Sequence, residues 1–356
     1  MDTIAGEQTK ILATIGALDG NGSCFGIEQI IAAGADGIRI NFSHANHADA
    51  KKQIRWVREL AAKLDTHVFI VADLAGPKIR LGKLAGRLDI QAGDELALVY
   101  GIEQNDGFTL PIQYDIAPYV RLHQRIFLFD GKVEAEIIAV DGCTVLIRAL
   151  SSGYLTSYNG INLPDSDFTG DPITAKDQAD LKFILKEDFD FICMSFVRSS
   201  DDIQVLRKIL SNHGSRAQII AKIETKAAVQ KGVLGSIVRA SDGVMVARGD
   251  MAYEIGVELV PVVQWRIVDL CKKYQKFSIV ATQMLASMVD NPRPTRAETS
   301  DVAHAVLEGV NVTMLSEETA LGKYPVEAVT EMRRIITAIT RYLQTSNYGM
   351  TQEDGP

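Results

Sequence analysis

The sequence predicts an α/β protein: a (β/α)8 TIM barrel with a small all-β barrel inserted after its third strand. Three observations carry this expectation. Short apolar runs alternate with helical spacing eight times along the chain, which argues for parallel strands closed into a barrel rather than an open sheet. Most of these runs stop at Lys, Arg, Glu, Asp, Thr or Ser, and in such a barrel the chemistry sits at the carboxyl ends of the strands. From about Gly82 to Pro164 the helical spacing vanishes and only strand alternation is left.

The strands are read in order. Lys10-Ile-Leu-Ala-Thr-Ile-Gly16 opens the series, and Gly37-Ile-Arg39-Ile-Asn41-Phe-Ser43-His44 ends in polar groups. Val68-Phe-Ile-Val-Ala-Asp73 ends in a carboxylate, and Phe191-Ile-Cys-Met-Ser195-Phe-Val-Arg198 is the fourth. Ile219-Ile-Ala-Lys222-Ile-Glu224, Val244-Met-Val-Ala-Arg248-Gly-Asp250, Ile279-Val-Ala-Thr282-Gln283 and Val312-Thr-Met-Leu-Ser316-Glu317 complete the set. The spacing predicts helices over 26–33, 46–64, 175–187, 200–213, 226–239, 257–274, 293–308 and 325–343. Within the insert, Asp130-Gly131 and Asp141-Gly142 separate alternating runs, a strong hairpin signal. The expected organisation is a barrel over 1–82 and 165–345, an inserted lid over 83–164 that hangs above the active face, and a flexible tail over 346–356.

Composition narrows the function. With 356 residues and 47% hydrophobic content the chain can hold one large and one smaller domain. A net charge of −8 disfavours nucleic acid and anionic membranes as partners. No apolar run reaches a membrane span, and the first residues lack the basic and apolar regions of a signal peptide. The cysteines Cys24, Cys143, Cys193 and Cys271 show no metal spacing and read as reduced, so a cytoplasmic protein is expected.

Glu224 and Asp250 close strands five and six, neighbours around a barrel. Two such carboxylates suit a hard divalent cation such as Mg²⁺. The alternative is that each pairs with Lys222 or Arg248. Lys222 lies two residues before Glu224, so both project to one side of the strand, where the ammonium can stabilise a phosphoryl group or an enolate oxygen. Arg39, Arg80 and Arg248 point to an anionic substrate, or singly to structural ion pairs. Thr282 and Ser316 either line the pocket or cap the following helices. No GxxxxGK[ST] loop is present, so this is not a P-loop enzyme.

At these residues the chain resembles pyruvate kinase. The motifs stand as Thr9-Lys-Ile-Leu-Ala-Thr-Ile-Gly16, Arg39-Ile-Asn-Phe-Ser-His44, Asp73-Leu-Ala-Gly-Pro-Lys-Ile-Arg80, Met194-Ser-Phe-Val-Arg198, Ile220-Ala-Lys-Ile-Glu224, Ser241-Asp-Gly-Val-Met-Val-Ala-Arg-Gly-Asp250, Ala281-Thr-Gln-Met-Leu285, Asn291-Pro-Arg-Pro-Thr-Arg-Ala-Glu298 and Glu318-Thr-Ala-Leu-Gly-Lys-Tyr-Pro325. The resemblance spans about 9 to 340 and is strong in the barrel, weak in the insert. It implies phosphoryl transfer from phosphoenolpyruvate to ADP, giving pyruvate and ATP. Lys222, Thr282 and Arg39 would be catalytic. Substrate would meet Arg39, Lys222, Gly249, Asp250, Thr282 and Ser316, and the nucleotide would meet Asn41, His44 and Arg80. Glu224 and Asp250 would hold Mg²⁺ or Mn²⁺.

The departures are informative. Lys78 stands where many members carry Glu, in the loop that with Asn41, Ser43 and Asp73 forms their K⁺ site. The ammonium would replace the ion, so K⁺ is expected not to be required. Glu317 replaces a usual Gly, Met251-Ala-Tyr253 replaces Leu-Gly-Val, and the stretch through Tyr158-Asn159-Gly160 lacks a lysine that the family directs at ATP. The family's third domain has no counterpart here, which implies no effector site of that kind and a homodimer through barrel faces. Two other readings compete: a barrel lyase acting on phosphoenolpyruvate or pyruvate, and a paralogue with an altered phosphoryl acceptor or no turnover.

Overall fold

The computed structural model describes residues 8–16, 25–166, 168 and 170–349. Eight parallel strands close into a barrel: β1 (Lys10–Ile15), β2 (Gly37–Asn41), β3 (Phe69–Asp73), β4 (Phe191–Met194), β5 (Gln218–Ile223), β6 (Gly243–Ala247), β7 (Phe277–Ala281) and β8 (Val312–Leu315). Each pairs with the next in sequence, and β8 returns to β1 through Lys10↔Val312. The strands read as continuous apolar runs because both faces are covered. Ile219, Ala221 and Ile223 of β5 pack outward under the helices, whereas Ile220 joins Leu12, Val71, Cys193, Met245, Ile279 and Met314 inside the barrel. At the lower end Phe191 meets Phe69 and Phe277 edge-on, with ring centroids 5.7 and 5.3 Å apart. Those rings explain two glycines: a Cβ at Gly37 would overlap Phe69, and one at Gly243 would overlap Phe277.

Three helices begin at reciprocal side-chain caps, Thr174–Asp177, Ser199–Asp202 and Thr295–Glu298. Five expected helices differ in extent, the one expected over 175–187 stopping at Ile184. The one expected from 293 starts at Arg296, after Pro292 and Pro294, with Thr295 as its cap. The one expected from 226 is confined to Val233–Ala240, behind Gly232 at φ +88°. The one expected over 257–274 is a 3-10 turn, Val257–Leu259, followed by a helix from Val260 to Lys273. The last helix runs Pro325–Gly349, past its expected end at 343 and into the expected tail, since no Gly or Pro interrupts 326–348. Residues 350–356, and Cys24, lie outside the described residues. A helix that the spacing did not predict, Arg248–Ile255, follows β6 directly.

Between β3 and β4 lies a seven-stranded sheet in the order Ile79–Arg80, Gly160–Asn162, Arg125–Leu128, Val133–Asp141, Thr144–Ala149, Glu95–Tyr100, Thr109–Ile112. Its two outer strands approach each other at the bridge Leu81↔Ile112 and through Gly82 N–H to Pro111 O, 2.7 Å. The sheet has its own apolar core, including Leu96, Leu98, Ile126, Leu128, Val133, Ile137, Val145 and Ile147. It begins at Ile79, ahead of the expected start at 83. Chain entry and exit are adjacent strands, Arg80 opposite Gly160. That places the Asp130–Gly131 turn over the top of the barrel, against the helix after β6.

Candidate active site

Strand parity builds the site. Leu12, Val71, Cys193 and Ile220 face the barrel interior, so the residues two further on, Thr14, Asp73, Ser195 and Lys222, face it as well, at the upper end. Arg39 faces inward between the outward Ile38 and Ile40. These groups meet. Arg39 Nε donates to Asp73 Oδ2 at 2.7 Å and Arg39 Nη1 to Thr14 Oγ1 at 3.0 Å. Lys222 Nζ donates to Ser195 Oγ at 2.7 Å and lies 3.3 Å from Asp73 Oδ1 and 3.7 Å from Glu224 Oε2. Ser195 Oγ in turn reaches Leu74 O at 2.7 Å.

Burial and charge compete at each group. Burial alone would lower the Lys222 pKa, but the Asp73 and Glu224 carboxylates outweigh it and push it up to about 12. Lys222 therefore keeps its proton at neutral pH and acts as a fixed charge. Burial opposes ionisation of Asp73, yet Lys222 and Arg39 hold its carboxyl below the usual range. Glu224 shifts upward, first from burial and then from the nearby Asp250 charge, with Lys222 and the Phe196 N–H working against that. The Phe196 N–H donates to Glu224 Oε1 at 2.7 Å, and Phe196 sits at φ +56° to do so. A bulky residue in that region marks strain held in place by its surroundings.

Asp250 lies in the first turn of Arg248–Ile255, a place that favours negative charge. Its carboxylate is met from the inserted sheet and the loop leading into it: Lys78 Nζ lies 2.8 Å and Asn162 Nδ2 3.1 Å from Asp250 Oδ1. Burial would raise the Asp250 pKa, but Lys78 lowers it. The expected alternative partner, Arg248, is elsewhere, so that pairing is corrected. The Asp250 charge is close enough to raise the proton affinity of Glu224, and Asn162 Oδ1 is a buried acceptor with no hydrogen-bond partner among the described residues. Two carboxylates and an orphaned amide oxygen form a donor set of hard oxygens that fits a Mg²⁺-like cation, which takes few protein ligands. Among the described residues no group of three or more His, Cys, Asp and Glu is arranged to hold a metal ion.

Arg248 is a structural clasp rather than a substrate cation. It forks onto Asp301 (Nη1 to Oδ1 2.9 Å, Nη2 to Oδ2 2.8 Å) and donates to Thr282 O at 2.7 Å. Thr282 and Gln283 stand at φ +76° and +55°, and a β-branched residue there is a genuine outlier. Arg248 thus helps hold the end of β7 in an unfavourable conformation. This brings Thr282 beside the helix after β6, where a Cβ on Gly249 would lie 3.2 Å from Thr282 Cγ2. Ser316 makes no side-chain cap to the helix Glu317–Ala320; its N–H donates at 2.7 Å to Glu318, whose other oxygen accepts from Leu285 N at 3.1 Å. Glu317 is exposed and its φ is not positive, so its backbone does not need Gly.

Asn41, His44 and Arg80 gather on one side. Asn41 Oδ1 accepts from Ser43 N at 3.0 Å, and the His44 pKa is lowered by burial first and then by Arg80 and Arg39. Arg80 donates to Tyr158 O at 3.1 Å, and Asn159 Oδ1 closes its turn on Thr156 N at 2.6 Å. The expected set of Asn41, Ser43, Asp73 and Lys78 does not converge: the Lys78 ammonium rests on Asp250, while Asp73 is taken by Arg39 and Lys222. Lys78 stands just ahead of the first strand of the inserted sheet, and how that sheet docks is not conveyed by sequence spacing. Sequence reasoning did not single out Ser195, Thr14 or Asn162; for the first two, period-2 parity within their strands was a usable signal.

A family profile described as "Pyruvate kinase, barrel domain" matches residues 6–329. The chain is 40% identical over 332 residues to a pyruvate kinase of Corynebacterium glutamicum, covering 93% of this chain and 69% of that protein. It is 38% identical over 333 residues to a pyruvate kinase of Clostridium acetobutylicum, covering 92% and 70%. With "Pyruvate kinase 2" of Synechocystis sp. it shares 40% over 339 residues, covering 94% and 57%.

Proposed function

The chain belongs to the pyruvate kinase family of phosphotransferases, and from that premise we propose that it moves the phosphoryl group of phosphoenolpyruvate to ADP. The observation that carries the reading is the Lys222 ammonium, fixed by Ser195, Asp73 and Glu224 and kept protonated in the mouth of the barrel. In the reaction the bond from the bridging oxygen to phosphorus breaks and a bond from a terminal ADP oxygen to phosphorus forms. The enolate left behind takes a proton at its methylene carbon to give pyruvate. Catalysis is then chiefly positioning and electrostatics. Lys222 donates hydrogen bonds to the phosphoryl and enolate oxygens while keeping its proton. Arg39, oriented through Nε and Nη1, has Nη2 without a protein partner among the described residues and grips the phosphate. Amides at Gly249 and Asp250 take the substrate carboxylate. Thr282 and Ser316 line the pocket, and Asn41, His44 and Arg80 face the nucleotide.

Glu224 and Asp250 would hold Mg²⁺ or Mn²⁺, which when bound supplies positive charge to the phosphoryl and enolate oxygens. Lys78 makes K⁺ unnecessary in this reading, since its ammonium brings a permanent positive charge to the same end of the barrel. We further propose a cytoplasmic homodimer; among the described residues no helix is long and apolar enough to cross a membrane. The test is pyruvate formation from phosphoenolpyruvate with Mg²⁺ in K⁺-free buffer, with ADP, with other nucleoside diphosphates and with none. Pyruvate that depends on a diphosphate is expected. No pyruvate, or pyruvate without an acceptor, overturns the proposal and favours the altered-acceptor or lyase readings.

A further inference from the structure

We propose that Tyr253 is a positioning residue that latches the inserted sheet onto the helix after β6, and so sets Lys78 and Asn162 against Asp250. Tyr253 lies one turn beyond Asp250 on Arg248–Ile255, so the two share a helix face. Its hydroxyl donates to the carbonyl oxygen of Asp130, at the tip of the hairpin between Arg125–Leu128 and Val133–Asp141. Its ring covers Gly131 so closely that a Cβ there would overlap it, and it packs on Phe127 with centroids 5.6 Å apart.

The tip is built for this contact. Phe129, Asp130 and Gly131 are successively left-handed, at φ +51°, +50° and +72°. For Phe129 and Asp130 that conformation is unfavourable by itself, so contacts must hold it: Phe129 N–H donates to Gly160 O at 2.9 Å, Lys132 N–H to Phe129 O at 3.1 Å, and Tyr253 fixes the intervening carbonyl. Lys78 ties the same tip to the same helix, 3.7 Å from Asp130 Oδ1 and 2.8 Å from Asp250 Oδ1. Asn162, on the strand where the sheet rejoins the barrel, adds its 3.1 Å bond to Asp250. Without the tyrosine, the polar link from the tip to this helix among the described residues is the bridge through Lys78, 3.7 Å from Asp130 and 2.8 Å from Asp250, and the placing of Lys78 and Asn162 loses its brace. The role of Asp250 as a site residue rests on the function proposed above; the latch itself does not.

The experiment is amide hydrogen exchange on the whole chain without substrates, followed by steady-state kinetics. Tyr253→Phe removes one hydrogen bond and keeps the ring, so exchange across 125–141 should accelerate roughly two- to tenfold, with the barrel strands unchanged. Tyr253→Ala should accelerate it further. Gly131→Ala should also loosen the hairpin, but less in the Tyr253→Ala background, where no ring meets the new methyl. In turnover, Tyr253→Phe should raise KM for phosphoenolpyruvate and ADP by a similar factor while kcat changes less. Unchanged hairpin exchange in both tyrosine variants, or faster exchange spread evenly through the barrel, overturns the latch. Faster hairpin exchange with unaltered KM overturns the positioning role. The exchange arm reads the latch even if no turnover is found, so failure of the proposed function and failure of the latch are separable.

Discussion

Replacing Lys222 by methionine removes the charge at the centre of the site and keeps the chain length. Lys222 Nζ stands 3.3 Å from Asp73 and 3.7 Å from Glu224. At an effective dielectric of about 20, each attraction is worth about 5 kcal/mol before the several kcal/mol cost of dehydrating the ammonium. The losses are unequal. Asp73 keeps Arg39 at 2.7 Å, but among the described residues Glu224 keeps the Phe196 N–H alone and faces Asp250. Glu224, already raised by burial, should therefore take up a proton and blunt the penalty, leaving a net destabilisation of about 3 kcal/mol, at the low end for a broken buried pair. The kinetic loss should be larger in proportion, a factor on the order of 10²–10³ or more, because the ammonium acts on charge that develops in the transition state. The assay is pyruvate formation with ADP and Mg²⁺, beside a thermal melt by circular dichroism. Turnover near the unaltered level in a folded Lys222→Met protein would refute the reasoning. Lys222→Arg, which keeps the charge, should be far less destabilised than Lys222→Met even if it is as inactive.

Three further outcomes are expected. Adding K⁺ to a K⁺-free assay should change the rate less than about twofold, because Lys78 already supplies a cation 2.8 Å from Asp250; a large stimulation contradicts the Lys78 reading. Arg248→Lys loses the forked contact to Asp301 and the grip on the Thr282 carbonyl; it should destabilise the fold by about 2 kcal/mol and lower kcat, and an unshifted melt with full turnover would show that Thr282 needs no such clasp. Burial, reinforced by Asp250 and Glu224 against hydrogen bonding from Lys226 N–H, raises the Glu254 pKa to about 7. Because its folded pKa exceeds its unfolded one, its stability contribution falls as pH rises from about 4.5 to about 7. Glu254→Gln should thus raise the melting temperature at pH 8, by at most about 3 kcal/mol in free energy, and much less at pH 5; equal shifts at both would refute the shifted pKa.

Much of the site was legible because a strand has period two. Lys222 and Glu224 share parity with the interior Ile220, and Asp73 with Val71, so the sequence orders their side chains before any coordinates do. Arg248 was left open between an anionic substrate and a structural ion pair, and the structure shows the second. It shares parity with the outward Val244 and Val246 of β6, and the helix that starts at Arg248 carries it to Asp301. That helix itself escaped the sequence reading because its eight residues follow β6 without a break. The left-handed Phe196 and Thr282 carry no signal in residue type, since neither is Gly, Asn or Asp.

The amino-acid sequence by itself determined the eight-fold strand and helix order, the strand-only insert after β3, and the roster of charged groups at the strand ends. Local periodicity encodes all of these, because each residue's face is set within a few neighbours along the chain. The tertiary structure alone decided which charges meet. Lys78 reaches Asp250 across 172 positions of sequence, Arg248 turns away to Asp301, and Tyr253 closes on the Asp130–Gly131 tip. Those contacts depend on how the inserted sheet docks on the barrel, and docking is fixed by shape and packing between distant segments rather than by any local pattern.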